Sequence, residues 1–394
     1  MRVYIRHAVT FLSLALLVSC GGGGNTSQPT PVANSPFSHL YVVNSGDWTI
    51  STFEVSAAGQ LSLIQGGIAA GVTSPSGIAI NPVGTLYIGS GDSRNISTFP
   101  IDPQTGKLSA ARGVPNFEAR PLSWNYAQKL ALCHSQLVSF GDSFSDPQRT
   151  GTGTRFGWGG TNFTSDTAGF ITYGYLGSFG FGVGDPQPSN PSAAPDANCM
   201  VTFHANTATN TVVGSINDAA NHSGGGYGTP VLAGSAPVDL VADPSFKFLY
   251  TANSGSDNIS AFSISLASQS ISPITGSPFP AGSQPNSLVV VGSWLFVTNA
   301  GDNSVSAFAI DANTGALTPV PGSPFPAGAN PSALVPANTD LAHSPTGLLL
   351  YVSNQGSNNI SGYIVTGNGA LQPISGSPFG AGSSPKGMVV KAAQ

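Results

Sequence analysis

The sequence predicts an all-β fold, a single seven-bladed β-propeller of four-stranded blades, closed by pairing of its N- and C-terminal strands. Three observations carry that expectation. A two-strand segment recurs five times, beginning at Leu40, Leu86, Leu249, Leu295 and Leu350. Turn formers are abundant, with 50 Gly and 31 Pro, while only 7% of the residues are charged. The apolar and aromatic share is nevertheless 40%, so the chain has the material for a core and is not a polar disordered tract.

The first copy reads Leu40-Tyr41-Val42-Val43-Asn44-Ser45-Gly46-Asp47-Trp48-Thr49-Ile50-Ser51-Thr52-Phe53, and the fourth begins Leu295-Phe296-Val297-Thr298-Asn299. An apolar run meets a cluster of Asn, Gly, Ser or Asp and then a run alternating apolar with small polar residues, which marks a β-hairpin. A further strand follows a Gly turn, as at Gly59-Gln60-Leu61, Gly106-Lys107-Leu108, Gly315-Ala316-Leu317 and Gly369-Ala370-Leu371. After a connector such as Ser323-Pro324-Phe325, a Pro-led run such as Pro75-Ser76-Gly77-Ile78-Ala79-Ile80 completes four strands. Leu40 to Leu86 and Leu249 to Leu295 each span 46 residues, so the stretch between Leu86 and Leu249 holds two degenerate copies, which makes seven blades, with six or eight as the alternatives. The chain starts on a second strand and ends on an unmatched first one. Pro385 to Lys391 is therefore expected to pair with Leu40 to Asn44 and leave no exposed edge.

These repeats resemble the lactonase-like (6-phosphogluconolactonase-type) propeller family, whose units carry a Pro-led strand, a Leu-Tyr-Val-x-Asn strand, an Asn-Ser or Asn-Gly turn and a Gly-x-Leu strand. The likeness covers roughly residues 38–116 and 237–390. It implies the fold and admits a lactone hydrolase. The matching residues are strand and turn residues and carry no chemistry of their own.

Residues 1–20 read as an export signal, with Arg2 and Arg6 before the apolar stretch Ala8 to Val18. The end, Leu17-Val18-Ser19-Cys20, resembles the lipobox of bacterial lipoproteins, which makes Cys20 the lipidation site and the cell envelope the expected location: outer membrane, periplasmic side or cell surface. Residues 21–36 are a Gly, Ser, Thr, Asn and Pro tract expected to act as a flexible tether, and residues 37–394 form the propeller. A net charge of −5 gives no reason to expect a nucleic-acid partner. Cys133 and Cys199 either form a disulfide, worth about 4 kcal/mol for so long a loop, or remain two thiols.

From about residue 120 to 198 the repeat fades, and 151–184 is rich in Gly and aromatics. Trp158, Tyr173 and Tyr175 there are candidates for stacking on a ligand, if the tract is not an insertion that packs on itself. Gly141-Asp142-Ser143 resembles the nucleophile block of GDSL or SGNH esterases, and Asp340-Leu341-Ala342-His343 has the spacing of their acid-base pair, with Gly160 and Asn217 as candidate oxyanion donors. Against this, Gln136 to Phe140 matches the blade strand Asn95 to Phe99, His343 precedes an ordinary turn, and no esterase helices are evident. No metal-ligand spacing and no cofactor motif occurs. Three functions follow in order: an envelope binding module for a protein, glycan or small molecule; a lactone hydrolase; an esterase using Ser143, Asp340 and His343.

Overall fold

The computed structural model describes residues 38–80, 84–90, 96–113, 129–133, 136–141, 151–159, 162–164, 171–173, 181–184, 201–207, 209–218, 223–265, 267–337 and 347–392. They form seven antiparallel sheets. Blade one holds, from the inside outward, Pro385–Ala392, Ser38–Asn44, Thr49–Val55 and Leu61–Ala69. Blade two is Pro75–Ile80, Thr85–Ser90, Ile96–Pro100 and Arg112–Gly113, and blades five, six and seven repeat that order from Pro237, Pro285 and Pro331. The inner strands neighbour one another in succession around the ring, with Pro385–Ala392 lying between those that begin at Pro331 and Pro75.

The interval between the second and third repeat copies holds two blades. Blade three is built from Lys129–Cys133, Gln136–Gly141, Gly151–Gly159 and Asn162–Thr164, and blade four from Phe181–Gly184, Val201–Asn206, Thr211–Asp218 and Ser223–Leu232. The residues of the faded repeat take definite places here. Gln136–Gly141 is a blade strand, as its match to Asn95 to Phe99 predicts, and it takes the second place because its hairpin partner Lys129–Cys133 takes the inner one. The described parts of the Gly and aromatic tract are blade strands: Gly151–Gly159 pairs on one side with Gln136–Gly141 and on the other with both Asn162–Thr164 and Ile171–Tyr173.

The repeat is apolar at consecutive positions because both faces of each blade are buried. Leu40 and Val42 pack toward blade seven with Leu349, Tyr351 and Ile360, whereas Tyr41 and Val43 pack toward blade two with Leu86, Ile88 and Phe99. The two-residue period of a strand thus feeds two cores, one on each side. The junction of blades seven and one, which takes Met388 from the last strand, is packed like the others. That last strand pairs Val390 with Leu40 and Gly387 with Val43, in the register expected from the sequence.

Polar positions of the repeat have equally definite tasks. Buried Asn299, at the end of a second strand, donates from Nδ2 to Ser304 Oγ and Ser306 Oγ, both at 2.9 Å. Asn44, Asn253 and Asn354 repeat the arrangement five and seven residues ahead. This fork ties the hairpin together just below its turn.

Neighbouring blades are clamped by tyrosines. Tyr41 donates to the Gly106 carbonyl at 2.7 Å, Tyr250 to Gly315 at 2.9 Å and Tyr351 to Gly59 at 2.6 Å. The last of these joins blade seven to blade one. The acceptor turns are themselves held in shape: Asp311 Oδ1 accepts from the N–H groups of Asn313 and Thr314, and Asp102 Oδ1 from those of Gln104 and Thr105. These backbone donors, Thr314 and Thr105 first, keep both carboxyls below the usual carboxylate range.

Burial pushes the phenol pKa of Tyr41, Tyr250 and Tyr351 well above its ordinary value. A group whose native pKa is raised stabilises the fold in full below its unfolded pKa, near 10 for Tyr, and loses that contribution as pH rises toward the native value. The urea midpoint is therefore expected to stay flat from pH 7 to about 9.5 and to fall steeply above about pH 10. In Tyr351→Phe the fall should be shallower, from a starting stability lower by about 1 kcal/mol. Unfolding curves at half-unit pH steps check this.

Candidate functional site

Five of the seven inner strands begin with Pro, at Pro75, Pro237, Pro285, Pro331 and Pro385, and each of these is irregular at the next residue. The pairing register slips between Pro75 and Gly77, Pro237 and Asp239, Pro285 and Ser287, and Pro331 and Ala333, and in blade one opposite Val43 and Asn44. In each of these five blades one residue is left out of the ladder: Ser76, Val238, Asn286, Ser332 and Lys386. A β-bulge re-aims the side chain it carries, and such bulges gather at rims and beside sites. Here they form a ring at one end of the innermost strands, the mouth of the central channel. All five residues are half-buried or exposed.

The chemistry of this ring is mostly neutral. Ser332 Oγ lies 3.0 Å from both Ser353 Oγ and the Pro385 carbonyl of the next blade. Asp239 is the one carboxylate on the seven inner strands. Its Oδ2 accepts from Ser287 Oγ at 3.0 Å and from the Leu288 N–H at 3.1 Å, so it bridges blades five and six. The Asn286 amide makes no hydrogen bond among the described residues and is open to a ligand. Lys386 supplies a single ammonium on the opposite side of the blade order. Among the described residues no group of three His, Cys, Asp or Glu side chains could hold a metal.

The same end carries the hairpin turns, which knit each blade to the next. In blade six the Ala300 and Gly301 N–H groups bond the carbonyls of Gln284 and Ser283 in the turn leading into that blade's inner strand. Gly301 is required because an added Cβ would strike Ser283. The fifth turn residue reaches across to the next blade: Asp257 Oδ1 accepts from Gln284 N, Asn303 Oδ1 from Asn330 N, Asn358 Oδ1 from Ser384 N and Asn210 Oδ1 from Ala236 N, at 2.8 to 2.9 Å. Each of these acceptors has φ between 53° and 55°, a conformation that Asn and Asp tolerate best.

A family model described as "Lactonase, 7-bladed beta-propeller" matches residues 25–117 and 212–335, more than half of the chain. The chain belongs to this lactonase family. Among solved structures it is similar to a provisionally named 6-phosphogluconolactonase from Bacteroides uniformis, with a TM-score of 0.66, 16% identity and coverage of 90% of this chain and 99% of the other. It is similar also to the periplasmic gluconolactonase of Pseudomonas aeruginosa, with a TM-score of 0.65, 16% identity and coverage of 91% and 99%. At this identity the likeness establishes the fold. No curated protein matches the sequence.

Of the residues singled out from the sequence of this lactonase-family chain, Cys20, Ser143, Gly160, Tyr175, Cys199, Asp340 and His343 lie outside the described residues. Cys133 ends the inner strand of blade three, opposite Gln136. Trp158 lies on Gly151–Gly159, opposite Phe163 near one end, and Tyr173 lies on the neighbouring strand, opposite Gly151 at the other end. About seven residues of strand, some 23 Å, separate those two registers. Asn217 pairs with Gly224 within blade four. The bulge ring was missed because a slipped register leaves no mark in composition. Its signal is faint: the two places after Pro vary among the copies, Ser/Val/Asn/Ser/Lys and then Gly/Asp/Ser/Ala/Gly, before the apolar run resumes.

Proposed function

We propose that the chain is a lipid-anchored binding module of the cell envelope, held by Cys20 and presenting the channel mouth to a neutral, hydroxyl-rich ligand. The observation that carries this reading is the bulge ring. The Asn286 amide, which makes no hydrogen bond among the described residues, can orient a polar ligand, and the residues around it are mostly neutral, while the one inner-strand carboxylate, Asp239, accepts two bonds that join blades. Opening a lactone requires a base within hydrogen-bond reach of the attacking water, and the inner strands offer one carboxylate for that task, Asp239, whose Oδ2 is engaged between blades. A phosphorylated ligand would want clustered Arg or Lys, whereas the ring has Lys386 alone. The tether sequence and the signal-like first twenty residues support the envelope location.

A second reading, lactone hydrolysis, is favoured by family membership and by the likeness to a periplasmic gluconolactonase. Both readings are tested by presenting neutral lactones and short-chain nitrophenyl esters to the chain lacking residues 1–20, beside Ser143→Ala and His343→Ala. The binding module turns over none of them. Lactone turnover that survives both substitutions would make the mouth a hydrolase, and ester turnover lost in both would establish the esterase.

A further inference from the structure

Trp48 occupies the fifth turn position of blade one. Its equivalence to Asn210, Asp257, Asn303 and Asn358 is shown twice over. Its φ is 56°, and its carbonyl accepts from Ala70 N as theirs accept from Ala233, Ala281, Ala327 and Ala381. In four other blades, those whose turns are described, that position supplies the side-chain acceptor for the N–H before the next inner-strand Pro. Blade one forgoes that bond to Ser74, places a bulky side chain in the left-handed region, and leaves the indole 49% exposed. Every structural preference at this site points to Asn or Asp, and none to Trp.

We infer that Trp48 is an aromatic platform for a pyranose ring, so that the ligand of the channel mouth is a carbohydrate. The inference rests on the binding reading and deepens it. The indole stands at the mouth end of the ring, where the chain crosses from the outer strand of blade one to Pro75 and the bulged Ser76. In sequence it stands between Asp47 and Thr49, and the connector bonded to its carbonyl runs Ala70-Gly71-Val72-Thr73-Ser74, so the neighbouring side chains are small and mostly polar. The other exposed large hydrophobic residues among those described, Leu63 and Leu232, belong to outer strands. One flat apolar face set among hydroxyls and amides suits a sugar, whose ring has an apolar C–H face and a polar rim. A protein interface would want several apolar anchors together.

The test titrates the full chain, in mild detergent, with cellohexaose, chitohexaose and maltohexaose, following tryptophan fluorescence and binding heat for the wild type, Trp48→Asn and Trp48→Phe. At least one hexaose should bind. Trp48→Asn should weaken that binding about tenfold or more, Trp48→Phe should keep most of it, and Trp48→Asn should unfold about 1 to 3 °C higher because the cross-blade bond is restored. Absence of hexaose binding, equal binding by Trp48→Asn, or a lower unfolding temperature for Trp48→Asn would each overturn the platform. Lactone turnover in the panel above would overturn the binding reading instead, whatever Trp48 does.

Discussion

A chain ending at Ser384 is expected to lose its cooperative unfolding transition. The ten residues removed include the whole inner strand of blade one, which pairs with Ser38–Asn44 from Ala392 through Pro385. Met388 leaves the core between blades seven and one, and Val389 leaves the one between blades one and two. Those apolar losses amount to several kcal/mol. Backbone groups of Ser38–Asn44 that are fully buried now would also be left without partners, at about 1 to 3 kcal/mol each. A whole domain is stable by only about 5 to 15 kcal/mol, so the truncation exceeds what the fold can lose. Urea unfolding followed by tryptophan fluorescence should show no transition, and a synthetic peptide of residues 385–394 added in trans should restore one by strand addition. A truncated chain with the wild-type midpoint would mean that the terminal pairing is dispensable.

Gly315→Ala is expected to destabilise the protein by about 2 to 5 kcal/mol, and Gly292→Ala by only about 1 to 2 kcal/mol. Both glycines have positive φ, 73° and 58°. Around Gly292 an added Cβ meets nothing within 4 Å, so that substitution reports backbone strain alone. At Gly315 the Cβ would fall well inside van der Waals distance of the Phe248 ring of the preceding blade. The Gly315 carbonyl is also the acceptor of the Tyr250 hydroxyl, so any shift that relieves the clash stretches the clamp. Paired urea midpoints measure the difference. Equal losses at the two positions would show that the close approach between blades contributes nothing.

The contrast between what the sequence discloses and what it hides follows from where the information sits. Leu40 to Val43 and Leu295 to Thr298 disclose buried strands because apolar runs are a local property. Asn44 and Asn299 disclose turns for the same reason, although their real task, the fork onto two hydroxyls of the next strand, depends on a register that only pairing sets. The seven blades were legible from the spacing of five copies. Gln136–Gly141 is legible as a blade strand from Val138-Ser139-Phe140, while its place, second from the inside, depends on what precedes it in space. Val238, Asn286, Ser332 and Lys386 were invisible as a group: they are adjacent only because successive inner strands begin at one end of the ring. Trp48 was visible as an odd residue in a repeated turn. Its oddity became informative once four other turns showed what that position does.

The binding reading is tested most directly by calorimetric titration of D-glucono-1,5-lactone into the chain lacking residues 1–20. The account predicts a saturable heat whose baseline returns after each injection, reduced in Asn286→Ala. A sustained displacement of the baseline proportional to the amount of protein, which is the signature of turnover, would contradict it and make the channel mouth a catalytic site.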